Sequence, residues 1–123
     1  MIKCLIVGIG GLIGSVCRYL LSQIPISNSS SFPSNTLIIN FLGALAIGVI
    51  TGLSIKNSNI DQNLILLLKV GVCGGFTTFS AFSLETVNLI NRGEIITSVV
   101  YVLLSVLLCL FAVVAGQSIV KYF

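Results

Sequence analysis

Ten consecutive residues, Gly74-Gly75-Phe76-Thr77-Thr78-Phe79-Ser80-Ala81-Phe82-Ser83, hold most of the chemistry this chain can offer. Adjacent glycines and adjacent threonines make a poor helix. A break among apolar neighbours would free backbone carbonyls, and these persist in a membrane only where they face protein, water or an ion. Oxygen ligands suit hard cations. One reading is therefore a broken helix whose carbonyls hold a small cation. The other is a continuous helix, with glycines for packing and threonines bonded back to carbonyls one turn away. Phe79 and Phe82 are spaced to share a face, with Ser80 and Ser83 beside them. An aromatic ring carries a positive edge, and edges turned into a dry passage attract an anion without trapping it as a full charge would. The plain alternative is that both rings pack against lipid or neighbouring helices.

Other polar residues interrupt apolar runs. Asn40 stands between Leu37-Ile38-Ile39 and Phe41-Leu42-Gly43. Its amide offers two donors and one acceptor, so it must face the interior of a bundle or water. An interhelical hydrogen bond is the simpler role, and a pore donor the sharper one. Tyr101, Ser105 and Cys109 follow at helical spacing, and Ser98 extends their line by a turn. These groups form a polar track or bond back to their own helix. Arg18 and Glu85 are ionisable residues inside or beside apolar runs, which makes each a functional candidate. Arg18 either snorkels to the interface or concentrates anions at a pore mouth. Glu85 either pairs with a basic group or serves proton-coupled transport.

Several classes are excluded. No histidine is present, and the only acids are Asp61, Glu85 and Glu94, so general acid–base catalysis has few agents. Cys4, Cys17, Cys73 and Cys109 are scattered through apolar runs without metal-ligand spacing and read as small packing thiols. No glycine-rich loop joins a strand to a helix. The net charge of +3 is spread out rather than clustered, which argues against nucleic acid as a partner. An enzyme is not expected.

The elements that must position these residues follow from composition. Of 123 residues, 56% are hydrophobic and 7% charged. Soluble domains carry roughly a quarter charged residues, so lipid is the solvent this surface suits. A spanning helix needs about 20 apolar residues. Four stretches qualify, at about 5–21, 36–55, 64–90 and 95–120, and form one transmembrane domain over 1–123. Lys3 followed by an apolar run resembles a signal peptide, but Arg18 interrupts it and no small-residue cleavage site follows, so it reads as a span that stays. The connections are polar: Gln23 to Asn35, Lys56 to Asn63, and the turn Asn91-Arg92-Gly93-Glu94. Ser34 or Asn35 suits the N-cap of the second span. Lys3, Lys56, Lys69 and Lys121 fall on the side of the termini, against Arg18 and Arg92 opposite. That mild bias permits insertion in both orientations. Small residues recur four apart in every span: Gly10 and Gly14, Gly48 and Gly52, Gly71 and Gly75, Ala112 and Gly116. Such pairs let helix backbones approach closely.

Together these stretches resemble the Fluc/CrcB family of small fluoride channels. Gly10-Gly11-Leu12-Ile13-Gly14 with Arg18-Tyr19 is similar to its glycine-rich first helix. Asn35 to Gly43 is similar to its second-helix motif, and Gly74 to Thr86 to its third-helix signature. The resemblance implies an all-α membrane protein of four helices, the third broken near its middle, assembled as an antiparallel dual-topology homodimer in the cell membrane. It implies a passive channel that lets fluoride leave the cytoplasm and so reduces fluoride toxicity. By the same resemblance, Asn40, Phe79, Phe82, Ser80, Tyr101 and Ser105 line the fluoride pore and Arg18 stands at the vestibule. The carbonyls of Gly74 and Thr77 would hold a structural sodium ion at the dimer interface. Fluoride, lipid and a second copy are the implied partners. Ala81, Cys109 and Asn35 depart from the family pattern, two of them on the polar track.

Two other classes compete. Small proton-coupled multidrug exporters are also short and four-span, but they need a membrane carboxylate in the first span; here Glu85 would have to serve instead. A non-transporting scaffold subunit would show an obligate partner and no ion flux.

Overall fold

The long apolar runs fold as helices because a chain in hydrocarbon must satisfy its backbone polar groups internally. The computed structural model describes residues 1–25 and 32–122; part of the loop expected from Gln23 to Asn35 lies outside them. α1 is Ile2–Ser22 and α2 is Ser34–Lys56. α3, residues 62–76, starts as α-helix (Gln62–Ile65), widens into a π-helical stretch (Leu66–Cys73) and ends on the turn Gly74–Phe76. α4 is Phe79–Asn91 and α5 is Ile95–Tyr122. α3 and α4 form one interrupted span, so among the described residues the helices long and apolar enough to cross a membrane number four, of 21, 23, 30 and 28 residues.

The interruption decides between the two readings of the third span. Thr77 and Thr78 are extended, with ψ of 158° at Thr77 and φ −149°, ψ 118° at Thr78. The helix is broken. The π-helical stretch ahead of the break has no sequence signal that announced it; such wide turns are rare and gather at functional sites.

Glycine sets the pairing of the spans. α1 and α3 run parallel, their backbones in contact. A Cβ on Gly10 would lie 2.5 Å from the Leu67 carbonyl oxygen and 2.8 Å from Gly71 Cα. One on Gly75 would lie 2.5 Å from the Gly11 carbonyl oxygen, and one on Gly14 would strike the Val72 carbonyl. α2 and α5 form a second parallel pair. Gly48 abuts the Val113 carbonyl, and a Cβ on Gly116 would sit 2.6 Å from the Leu45 carbonyl oxygen. Lys56 Nζ donates to the Val120 carbonyl at 3.2 Å and ties the far ends of that pair. Gly43 on α2 leaves the space that the Thr77 methyl group fills.

Burial is inverted relative to a soluble protein. Leu5, Leu12, Ile96, Leu107 and Phe111 are exposed, whereas Thr36, Ser98, Tyr101, Ser105, Ala112 and several glycines are buried. With lipid outside there is no hydrophobic drive to hide leucine, and small or hydrogen-bonding side chains take the interior.

The helix ends explain the short connections. The N-cap position of α2 is Pro33, not Ser34 or Asn35. Asn35 Nδ2 instead donates to the carbonyls of Ser22 at 3.0 Å and Ile24 at 2.8 Å. A helix C-terminus leaves carbonyls without partners, and the amide supplies donors for those at the end of α1. After α4, Gly93 takes φ 79°, its N–H donates to Ile90 O at 2.9 Å, and Glu94 N–H donates to Leu89 O at 2.9 Å. This is a glycine-terminated stop that satisfies the last carbonyls. It turns the chain into α5 within three residues.

Candidate ion-binding site

The break creates a cavity. Its volume is about 300 Å³, and Asn40, Ala44, Thr77, Thr78, Phe79, Phe82, Ser105, Val106 and Cys109 line it. Residues from α2, the third span and α5 therefore meet where the third span loses its helical backbone.

Asn40 determines the shape of the break. Its Oδ1 accepts from the Thr78 N–H at 2.8 Å, and its Nδ2 donates to the Thr78 carbonyl at 3.0 Å. In a continuous helix that N–H would have bonded the Gly74 carbonyl. Ala81 N–H, which would have bonded the Thr77 carbonyl, donates instead to Thr78 Oγ1 at 3.1 Å. Thr78 is thus the N-cap of α4. The carbonyls of Gly74 and Thr77 have both lost their helical donors. Gly74 lies on the exposed face, with nothing near the position of a Cβ. Thr77 bends the other way: its hydroxyl donates back to the Cys73 carbonyl at 2.9 Å. The two threonines therefore divide the work, one closing α3 and the other opening α4.

Aromatic rings run from the cavity along the bundle. Phe79 and Phe82 have centroids 5.4 Å apart and planes at 43°. Phe82 and Tyr101 follow at 5.3 Å and 49°, then Tyr101 and Phe32 at 5.5 Å and 84°. None of these pairs is stacked face to face, so each ring offers an edge to its neighbour or to the space beside it. Phe79 is 78% exposed, which leaves the cavity open on the outer side of the chain.

Ser105 is buried to 6% exposure on the cavity wall, with its hydroxyl set against the Tyr101 hydroxyl. The Asn40 amide lines the same cavity. One N–H of that amide is spent on Thr78 and the other remains for an occupant. The chemistry is that of a chamber with neutral donors and ring edges, suited to a small anion.

The other residues marked in the sequence, Cys109 apart, fall nearby rather than inside. Ser80 is exposed, its hydroxyl 3.2 Å from Thr78 Oγ1. Tyr101 is fully buried and donates to Glu85 Oε2 at 2.7 Å. Thr36 donates to Glu85 Oε1, also at 2.7 Å. Glu85, Thr36 and Tyr101 thus form a polar knot at the end of the aromatic run. Ser98, a turn before Tyr101, donates to the Thr86 carbonyl at 3.3 Å. Arg18 is half-buried on α1, a turn beyond Gly14, and does not reach the cavity wall. Cys109 lines the wall, a turn beyond Ser105.

The capping role of Thr78 escaped the sequence reading, as did Thr36 and Phe32. Thr78 carries a partial signal, a threonine three residues before the backbone it caps. Thr36 and Phe32 carry none, because their partners lie in other spans.

Comparison with known proteins bears on what the cavity holds. Residues 5–117 match the family described as "CrcB-like protein, Camphor Resistance (CrcB)". The chain is 41% identical to the "Fluoride-specific ion channel FluC" of Azobacteroides pseudotrichonymphae, over 98% of each chain. It is 45% identical to the protein of that name from Ruminiclostridium cellulolyticum, over 98% of this chain and 94% of the relative. The Rhizobium etli protein of the same name is 43% identical, over 98% of both.

Proposed function

The chain belongs to the CrcB family, and from that premise we infer that it is a fluoride-specific ion channel of the cell membrane, a multi-pass protein and not an enzyme. The observation that carries the site is the chamber itself, which brings Asn40, Phe79, Phe82 and Ser105 together where the third span breaks. Fluoride is small and strongly hydrated, so a pore must replace its lost water with donors at close range. The Ser105 hydroxyl and the spare Asn40 N–H are such donors, and both are neutral. Neutral donors compensate dehydration without the deep well of a fixed cation, which conduction requires. Phe79 and Phe82 add ring edges. Passive flow through this chamber lets fluoride leave the cytoplasm, which reduces its toxicity.

In this reading Ser80 lies at the rim of the passage, and Tyr101 acts through the Glu85 knot, with its ring against Phe82. Arg18 serves the aqueous vestibule by raising anion concentration near the mouth. The exporter alternative finds no support at Glu85, since both carboxylate oxygens accept hydroxyl donors.

The assembly in this reading is a homodimer of antiparallel copies with two pores. Two features support it: Phe79 leaves the chamber open on one side, and Gly74 stands exposed beside two carbonyls without helical donors. A two-fold axis makes a surface meet its own copy. The Gly74 and Thr77 carbonyls of both copies would then converge on one sodium ion. Their donor set fits: uncharged, hard oxygen ligands suit a hard cation. Bound there, sodium would neutralise carbonyl dipoles that lipid cannot solvate.

Fluoride efflux from liposomes containing the purified protein, with chloride efflux alongside, tests this function. Rapid fluoride loss with chloride retained is expected. A folded protein that releases no fluoride would overturn the reading.

A further inference from the structure

Asn40 makes two bonds to one residue, and peptide geometry carries their effect beyond the cavity. The Thr77 C=O and the Thr78 N–H belong to one planar trans peptide and point in opposite directions. Asn40 Oδ1 sits 2.8 Å from the Thr78 nitrogen. Aiming that N–H at α2 therefore aims the Thr77 carbonyl away from α2. Helical bonding does not restrain this peptide, because both residues are extended and Ala81 N–H is spent on Thr78 Oγ1. The Thr77 hydroxyl is anchored on Cys73, but that bond holds the side chain and leaves the carbonyl free to turn. The second amide bond, Nδ2 to the Thr78 carbonyl at 3.0 Å, locks the next peptide in the same way.

We infer that Asn40 is a positioning residue for the cation site, its Oδ1 setting the direction of the Thr77 carbonyl. This rests on the assignment of the Gly74 and Thr77 carbonyls to sodium. One amide then serves both ions: Oδ1 acts on the cation through a peptide, and the spare N–H faces the chamber. The two sites are coupled through a rigid unit of a few atoms, and coupling of binding is reciprocal. Fluoride at Asn40 and the cation at Thr77 therefore affect each other's affinity.

The experiment reads thermal unfolding of the purified full-length protein by circular dichroism in detergent. Sodium chloride is titrated against N-methylglucamine chloride at constant ionic strength. The wild type is expected to gain stability with sodium, at a definable midpoint. Asn40→Leu, which removes the acceptor, should raise that midpoint about fivefold to tenfold, the equivalent of one lost hydrogen bond. Asn40→Asp keeps the acceptor and should show a midpoint no higher than wild type, although its fluoride flux is lost. Phe82→Ile alters the chamber but not the clip, and should keep the wild-type midpoint. If Asn40→Leu does not assemble, Asn40→Ser removes the reach of the amide without adding buried carbon, and the same shift is expected. A wild-type midpoint in Asn40→Leu or Asn40→Ser would overturn the inference while leaving the sodium site standing. An equal rise in Asn40→Asp would also overturn it, since the acceptor would then be irrelevant. Absence of any sodium response in the wild type would overturn the sodium assignment itself, and the inference with it.

Discussion

The two parallel helix pairs are built to opposite ends. Between α1 and α3 the seam is backbone against backbone: Gly10 on Gly71, Gly14 on Val72 and Phe76, Gly75 on Gly11. Between α2 and α5 the glycine contacts, at Gly48, Gly52 and Gly116, gather toward one end. Toward the other end lie Thr36, Asn40, Tyr101 and Ser105, with the broken third span against them. The first seam is rigid and chemically silent. The second is tight where it is glycine and open where it is polar, and the opening is the chamber. A channel in a small bundle needs both, since one pair must hold the scaffold while the other gives up packing for space.

This contrast can be broken at either seam, and the expected effects differ in size. Gly14→Leu should have the largest effect. Its side chain would meet backbone, which cannot move aside, so the cost exceeds the roughly 1–3 kcal/mol of ordinary overpacking. Loss of folded protein by size-exclusion chromatography is expected. Gly8→Ala, where nothing lies near the Cβ position, should leave the fold within about 0.5 kcal/mol of wild type. Equal tolerance of both would dissolve the distinction between seam and lipid face.

Next in size is Tyr101→Phe. It keeps the ring contacts to Phe82 and Phe32 but removes the donor to Glu85. A hydrogen bond contributes about 1 kcal/mol net, so a comparable loss of stability in chemical denaturation is expected. Phe82→Ile follows. Its fluoride flux should fall about tenfold, matching the upper end of what an oriented ring contributes, with the fold intact. Unchanged flux would show that ring edges do not face the ion.

Ser105→Ala should have the smallest effect on stability. Its hydroxyl makes only a weak contact, to the Tyr101 hydroxyl, so stability should change by less than about 1 kcal/mol. Flux through the chamber should nevertheless fall several-fold. A loss of stability without loss of flux would make Ser105 structural and would move the donor role to Asn40.

Legibility in the sequence followed the range of the forces involved. Four spans were readable because hydrocarbon thickness acts on local windows of the chain. The glycine spacing was readable too, as a sign of close packing, but not which helix each pair would meet. Gly74 to Ser83 left two structures open. The break between them was decided by Asn40, 38 residues away, which accepts the Thr78 N–H that a continuous helix would have used. The π-helical stretch over Leu66–Cys73 had no signal, since leucine and valine suit either kind of helix. Asn35 misled as a cap because an amide near a helix start has other carbonyls within reach, here those at the end of α1.

By itself the sequence determined that this chain lives in lipid, crosses it four times and carries a weak point in its third crossing. Those are consequences of composition and of neighbours along the chain. Only the tertiary structure decided how each polar group is spent. It bound Glu85 to Thr36, 49 residues away, and to Tyr101. It spent the Asn40 oxygen and one of its N–H groups on the break and set Ser105 on the chamber wall against Tyr101. A hydrogen bond needs its donor and acceptor within about 3 Å. In a bundle of parallel and antiparallel spans, that proximity is set by packing between helices, which residue order along the chain does not encode directly.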